Sequence, residues 1–208
     1  KFSKLTHFDF VKKIIYKKIN AKYIFVSKNF KYGFKRKGDI KTLEHLQKLY
    51  KYKTIITKPY KKKFKVISST RVRILLADGK IQEANKLLGK KWSVEGVVIR
   101  GKKRGRKLGF PTCNINFKDY IIPKFGVYAV NVKSAGINLR SGVANVGIRP
   151  TFKGKKVLLE VHIFNFSKNL YGKKINVEFK HFIRPEKKFK NFNELKKQIK
   201  LDIKESKK

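Results

Sequence analysis

The sequence predicts two folds in tandem: an α/β piece over residues 1–89, then a small closed antiparallel barrel finished by a helix over 93–206. Three observations carry this. Apolar stripes at helical spacing alternate with short apolar strands in the first stretch. Beyond Trp92 the pattern changes to six short strands with Gly-rich connections, which argues for a closed barrel. From Asn191 the helical spacing returns, with Leu195, Ile199 and Ile203 placed to pack on the barrel.

Taken in order, Thr6 is a candidate N-cap for a helix over 6–19, with Asp9 in its first turn and Phe10, Val11, Ile14, Ile15 and Ile19 as its stripe. Residues 23–26 read as a buried, parallel-type strand and 29–39 as a loop. A helix over 42–50, a strand over 54–57 and helices over 68–76 and 81–88 complete the first piece. Ser68, Ser69 and Thr70 can cap the third helix, and the same N-terminus can bind phosphate, with Arg73 one turn in. Residues 90–92 mark the junction. The six strands span 93–100, 110–117, 127–132, 141–146, 157–164 and 174–179, with turns expected around Gly136 and Asn138, over 153–156 and over 169–172.

With 208 residues and 41% hydrophobic content the chain can bury a core. No apolar run approaches the ~18 residues of a membrane helix, and no signal-peptide pattern is present. Cys113 is the only cysteine, which excludes an internal disulfide and fits a reducing compartment, the cytoplasm. The net charge of +42 would ordinarily suggest nucleic acid or an anionic membrane surface. The excess is carried mostly by Lys, is spread along the whole chain, and accompanies abundant Asn, Ile, Phe and Tyr. AT-rich coding produces that composition without a nucleic-acid partner. The chain contains no Met, so it is expected to begin at a processed end or, in preference, partway through a longer protein.

One stretch stands out as chemistry. A basic glycine loop, with Arg104, Gly105, Arg106, Lys107 and Gly109, runs into the strand containing Thr112 and Asn114. The glycines let the backbone approach an anion and the cations supply charge. Residues two apart on a strand share a face, so Thr112 and Asn114 offer a hydroxyl and an amide oxygen together. Oxygen ligands of that kind suit Mg²⁺ bound chiefly by substrate phosphates. The competing reading of the loop is a solvated hairpin. A second feature is Glu160, with Leu158 and His162 on its face of an otherwise apolar strand. A carboxylate there needs a partner, such as a cross-strand lysine, or a job.

Arg104-Gly-Arg-Lys-Leu-Gly-Phe-Pro-Thr-Cys-Asn114 closely resembles the signature of riboflavin kinases, and the wider chain is similar to the bifunctional bacterial riboflavin kinase/FAD synthetase family. Cys113 stands where that family usually carries Ala, a small-for-small change facing away from Thr112 and Asn114. The resemblance implies a six-stranded Greek-key barrel with a C-terminal helix over 93–206, preceded by the back portion of a Rossmann-like nucleotidyltransferase (FMN adenylyltransferase) domain. It implies a kinase that transfers the γ-phosphoryl group of ATP, with Mg²⁺ held by Thr112 and Asn114, to the 5′-hydroxyl of riboflavin, giving FMN. Glu160, in the Glu-x-His match, is then the catalytic base. Arg184, in Phe182-Ile-Arg-Pro-Glu-Lys-Lys-Phe189, becomes a flavin or phosphate contact, a salt bridge to Glu186 being the alternative. Gly142-Val-Ala-Asn-Val-Gly-Ile-Arg-Pro-Thr-Phe152 matches a supporting loop.

In the first piece, Ser68-Ser-Thr-x-x-Arg73 and the loop over 26–39 resemble nucleotide-binding elements of the adenylyltransferase half, with Asn29 where that family often has Asp. No Gly-His pair occurs, so the family's His-x-Gly-His phosphate loop is missing and FAD is not expected as a product of this chain. The alternative from another class is a basic, nucleic-acid-binding, OB-like barrel without catalysis. It accounts for the charge and leaves Pro-Thr-x-Asn, Glu160 and Ser-Ser-Thr-x-x-Arg unexplained. The oligomeric state is not legible in the sequence.

Overall fold

A computed structural model describes residues 2–58, 61–62, 65–101, 104–117, 120–134, 137–151 and 154–207, in two units, Lys1–Ile67 and Ser68–Lys208. In the first, the Thr6 hydroxyl accepts the Asp9 N–H at 3.0 Å and starts α1, His7–Asp9. The helix continues π-wound over Phe10–Ile19. Its wider turn keeps Val11 and Ile15 buried but rotates Ile19 off the face, leaving it 63% exposed, which the expected α-spacing does not foresee. Strands β1 (Tyr23–Ser27) and β2 (Lys53–Thr57) pair in parallel. Between them α2 covers Ile40–Leu46, starting and ending before the expected 42–50, with the Asp39 side chain accepting the Thr42 N–H as its cap. Val11, Ile15, Val26, Leu43, Leu46 and Tyr52 form this unit's core. A two-residue hairpin, β3 (Lys61–Lys62) with β4 (Lys65–Val66), follows.

The second unit opens with α3 (Ser69–Ala77) and α4 (Ile81–Leu88). The sequence reading groups both with the first piece. In the structure Leu75, Leu76, Ile81 and Ala84 join the barrel's core instead. Asn85 ties the pair down: its Nδ2 donates to the Phe179 carbonyl at 2.9 Å and its Oδ1 accepts the Trp92 N–H at 2.7 Å. An amphipathic face announces that a helix is buried, but not against what.

The barrel comprises β5 (Ser93–Val97), β6 (Cys113–Asn116), β7 (Gly126–Ser134), β8 (Ile137–Thr151), β9 (Gly154–Ile163) and β10 (Lys174–Arg184), with the one-turn helix α5 (Arg104–Lys107) between β5 and β6. All six overlap their expected spans, but β5 and β6 are shorter than expected, β7, β8 and β10 run past their expected ends, and β9 starts earlier. They are antiparallel in the order β5-β10-β7-β8-β9-β6, and a bridge from Ile99 to Asn114 nearly closes the cylinder. The run β10-β7-β8-β9 is a Greek key. Alternate residues, among them Ile115, Tyr128, Val130, Val146, Leu159, Val161, Val177 and Phe179, fill the inside. Helix α6 (Phe192–Ser206), capped by the Asn191 side chain on the Glu194 N–H at 2.9 Å, packs on β7, β8 and β10. The expected turn over 169–172 is present, with Asn169 Oδ1 accepting the Tyr171 N–H at 3.0 Å. Gly136 and Lys153, in the other two expected turns, lie outside the described residues. Among the described residues, no helix is long and apolar enough to cross a membrane.

Asn85→Ala should lower the unfolding free energy by about 2 kcal/mol, because it strands a carbonyl and an N–H in a partly buried seam. Urea unfolding followed by the fluorescence of Trp92 reads this, and an unchanged midpoint would show that Asn85 does not anchor the helix pair.

Candidate active site

Cross-strand neighbours share a face, and the register of β6, β9 and β8 places Asn114 opposite Glu160 and Glu160 opposite Asn145. This polar row lies on the outside of the barrel. One step along, Ile115, Leu159 and Val146 form the matching inward row, all fully buried. Glu160 is 29% exposed at its side chain, and its partner is Arg149 of β8 rather than a lysine, with Nε donating to Oε1 at 2.9 Å. The same ion pair holds the Arg149 guanidinium more firmly protonated than usual, with Glu186 adding to the effect.

Thr112 enters from the loop side. His162 Nδ1 donates to the Pro111 carbonyl at 2.8 Å, pinning the residue before Thr112 to β9. The ring of Phe110 meets His162 edge-on. Contrary to a pure hairpin, the loop coils into α5 and folds back, with the Phe110 N–H donating to the Gly105 carbonyl at 2.9 Å. Gly105 faces Phe110 and Thr112 with no room for a Cβ, so its smallness serves that contact, while Gly109 takes a left-handed turn at φ +88°. Asn114 is 7% exposed, and its amide lies directly over Gly101. The side chains of Arg104 and Lys107 lie outside the described ones.

Thr112 and Arg106 line a cleft of about 340 Å³ together with Phe166, Leu170 and Tyr171. The Arg100 guanidinium lies 5.8 Å from the centre of the Tyr171 ring. Nothing in the sequence marks these aromatic residues, because their segment, 166–171, carries no motif. Cys113 points inward, where burial pushes its thiol up to about 12 and keeps it unreactive. A second cleft, about 490 Å³, opens between β8, the end of β9 and α6, lined by Arg140, His162, Phe164, Ile203 and Lys207 among others.

Arg184, expected as a flavin or phosphate contact, does not pair with Glu186, the alternative expected of it. Its Nε and Nη2 donate to the two carboxylate oxygens of Asp202 on α6, at 2.8 and 2.7 Å, and Nη1 donates to the Pro185 carbonyl at 3.0 Å. With Asp202 only 3% exposed, this is a buried fork clamping the last helix to β10. Glu186 instead accepts from Asn145 Nδ2 at 3.1 Å. Of the other expected residues, Ser68 caps α3 through the Arg71 N–H at 3.3 Å, and Ser69, Thr70 and Arg73 are exposed on its first turns. Asn29 is exposed in the turn after β1, in the first unit.

A family model described as riboflavin kinase matches residues 88–208, more than half of the chain. The chain belongs to the riboflavin kinase family. A model described as FAD synthetase matches residues 1–71. Relatives named bifunctional riboflavin kinase/FMN adenylyltransferase are 43% identical in Buchnera aphidicola subsp. Schizaphis graminum, over 97% of this chain and 66% of that protein, and 40% in Haemophilus influenzae, over 95% and 64%. The Escherichia coli K12 protein of the same name is 37% identical over 97% of this chain and 64% of its own length. The chain therefore spans a little under two thirds of these relatives. A solved structure described as a macrolide-efflux protein from Streptococcus pneumoniae aligns with a TM-score of 0.80 and 34% identity, over 99% of this chain and 66% of that one. It shares the architecture, and efflux belongs to that protein's description alone. The comparisons give the alternative of a nucleic-acid-binding barrel no support. In this riboflavin kinase family chain, the Pro-Thr-x-Asn loop and Glu160 converge on one outer patch of the barrel.

Asp202→Ala should destabilise the second unit by about 3 kcal/mol, because it leaves the guanidinium of Arg184 largely buried without its anion. Thermal unfolding checks this. A loss confined to flavin affinity, with stability unchanged, would return Arg184 to a ligand-binding role.

Proposed function

We propose that this chain is an ATP-dependent riboflavin kinase that converts riboflavin to FMN. The observation that carries the reading is the register pairing of Asn114 with Glu160, the one carboxylate of β9, which supports Asn114, with Thr112 just before β6, as oxygen ligands beside that carboxylate. ATP lies in the cleft beside Thr112, its base against the Phe166 and Tyr171 wall and its phosphates toward α5. There Arg106, with Arg104 and Lys107, supplies charge, and the loop backbone at Gly105 and Gly109 approaches the phosphates. Riboflavin occupies the cleft under α6, whose wall reaches His162, two residues along the same strand face from Glu160.

The donors present fit Mg²⁺: a hydroxyl from Thr112 and an amide oxygen from the nearly buried Asn114, both hard oxygen ligands. Among the described residues no cluster of His, Cys, Asp and Glu offers a competing metal site. Bound there with the phosphates, Mg²⁺ would neutralise charge on the transferring group. Glu160 accepts the proton of the riboflavin 5′-hydroxyl as that oxygen forms a bond to the γ-phosphorus. The bond from γ-phosphorus to the bridging oxygen breaks and ADP departs. Such a transfer depends mainly on in-line positioning and charge neutralisation. ATP as the phosphoryl donor and a free thiol suit the cytoplasm.

Glu160→Gln should lower turnover by roughly a thousandfold while leaving MgATP binding intact. Riboflavin and MgATP are incubated with the chain, and the flavins are separated and read by fluorescence. FMN from the wild type that depends on Mg²⁺, and about a thousandfold slower formation by the variant, is the expected result. Near-normal turnover by Glu160→Gln would overturn the assignment of the base. The same separation tests the expectation that the chain yields no FAD.

A further inference from the structure

Two carboxylates share one guanidinium beside the site. Asn145, Gly147 and Arg149 alternate along the outward face of β8, Asn145 opposite Glu160 and Gly147 opposite Leu158. Arg149 reaches back along this face to Glu160, with Nε donating to Oε1 at 2.9 Å. Its Nη1 stands 4.0 Å from Glu186 Oε1, the same oxygen that accepts from Asn145. Glu186 belongs to the connection between β10 and α6, and it rests on the bare backbone of Gly147, where any Cβ would overlap its carboxylate. The backbone of Gly147 is in an ordinary conformation, so what that position requires is space.

These groups are too exposed, at 41%, 29% and 39% of their side chains, for the pairs to contribute more than about 1 kcal/mol to stability. What they fix is a place. The connection that carries Glu186 is anchored at one end by the buried Arg184–Asp202 fork, so its only grip on the site itself, among the described residues, runs through Asn145, Gly147 and Arg149.

We propose that Arg149 is a positioning residue for Glu160 and that Glu186 is its latch. Seating Glu186 on Gly147 holds Arg149 against Glu160, so the base is aligned only when the 185–190 connection lies over β8. The inference rests on the assignment of Glu160 as the base.

The test uses the full chain and measures kcat, with separate KM values for riboflavin and ATP, in Glu186→Gln, Gly147→Ala, Arg149→Gln and the double variant Glu186→Gln/Arg149→Gln, with Glu160→Gln alongside. Glu186→Gln and Gly147→Ala should each lower kcat about tenfold, and Arg149→Gln about a hundredfold, as misplacement of a reacting group does. The KM for ATP should stay within about twofold of wild type, since neither latch residue lines the nucleotide cleft. The double variant should be no slower than Arg149→Gln alone, because the latch acts only through Arg149. A wild-type kcat in Glu186→Gln, or a double variant whose loss is the product of the two single losses, overturns the latch. Should Arg149→Gln fail to fold, Gly147→Ala combined with Glu186→Gln decides instead: no further loss over either single change supports the latch, and a multiplicative loss overturns it. Near-normal turnover by Glu160→Gln would bring down the base assignment and the latch together. An inactive Glu160→Gln beside multiplicative latch variants would bring down the latch alone.

Discussion

The strand register across β6, β9 and β8 is the constraint from which the site follows. Ile115, Leu159 and Val146 meet inside the barrel with none of their surface exposed, and their immediate neighbours Asn114, Glu160 and Asn145 are thereby forced outward together. Side chains alternate with a period of two, so a slip of one residue in any of the three strands would drive a polar group into the core and lift an aliphatic one into solvent. Burying an unpaired carboxylate costs several kcal/mol, and exposing a Leu or Ile side chain costs about 2 kcal/mol more. The penalty for a slip therefore falls on both faces at once. The core places the polar row without any of its members having to bind one another.

Around that fixed row the structure adds parts with progressively less support. His162 and the Pro111 carbonyl tie the loop strand to β9, and Gly105 lets the coil of α5 close down on Thr112. These contacts are short and local, so the loop's placement follows once β9 is in register. The far side differs. The connection carrying Glu186 depends on the Arg184–Asp202 fork at one end and on partly exposed polar contacts at the other. Differences in burial thus divide the surroundings of Glu160 into a loop side that is built in and an α6 side held by weaker bonds.

Much of this was legible in the sequence, for reasons that can be stated. The strands are readable because inward residues such as Val157, Leu159 and Val161 alternate with outward ones, and Cys113 and Ile115 alternate with Asn114 in the same way on β6. The cap at Thr6 and the start of α6 at Asn191 followed from side chains that satisfy free N–H groups locally. What stayed hidden was non-local. Arg149 finds Glu160 eleven positions away and Glu186 finds Asn145 forty-one away, and neither spacing has a period that a helix or strand would impose. The partner of Arg184 is hidden in the same way: Asp202 sits eighteen residues on, in a helix whose apolar stripe gives no hint that Asp202 faces inward. The helices α3 and α4 were seen as helices, but the core they serve could be learned only from Leu76 and Ile81 in place.

The arginines make a final point about a chain so rich in lysine. It carries nine arginines against forty-six lysines, and AT-rich coding would make lysine the default cation wherever a bare positive charge suffices. Arginine should then persist where its planar fork matters. Arg184 engages both oxygens of Asp202 at once, and Arg149 uses Nε for one carboxylate while presenting Nη1 to another. A lysine at either position has a single nitrogen and could not do both. Arg100 lies against the face of Tyr171, while Arg106 and Arg140 line the two clefts. Five of the nine arginines thus stand around the clefts and the clamps that frame Glu160, while lysine supplies most of the remaining charge. The net charge of +42 describes the whole surface, and the placement of arginine within it describes the site.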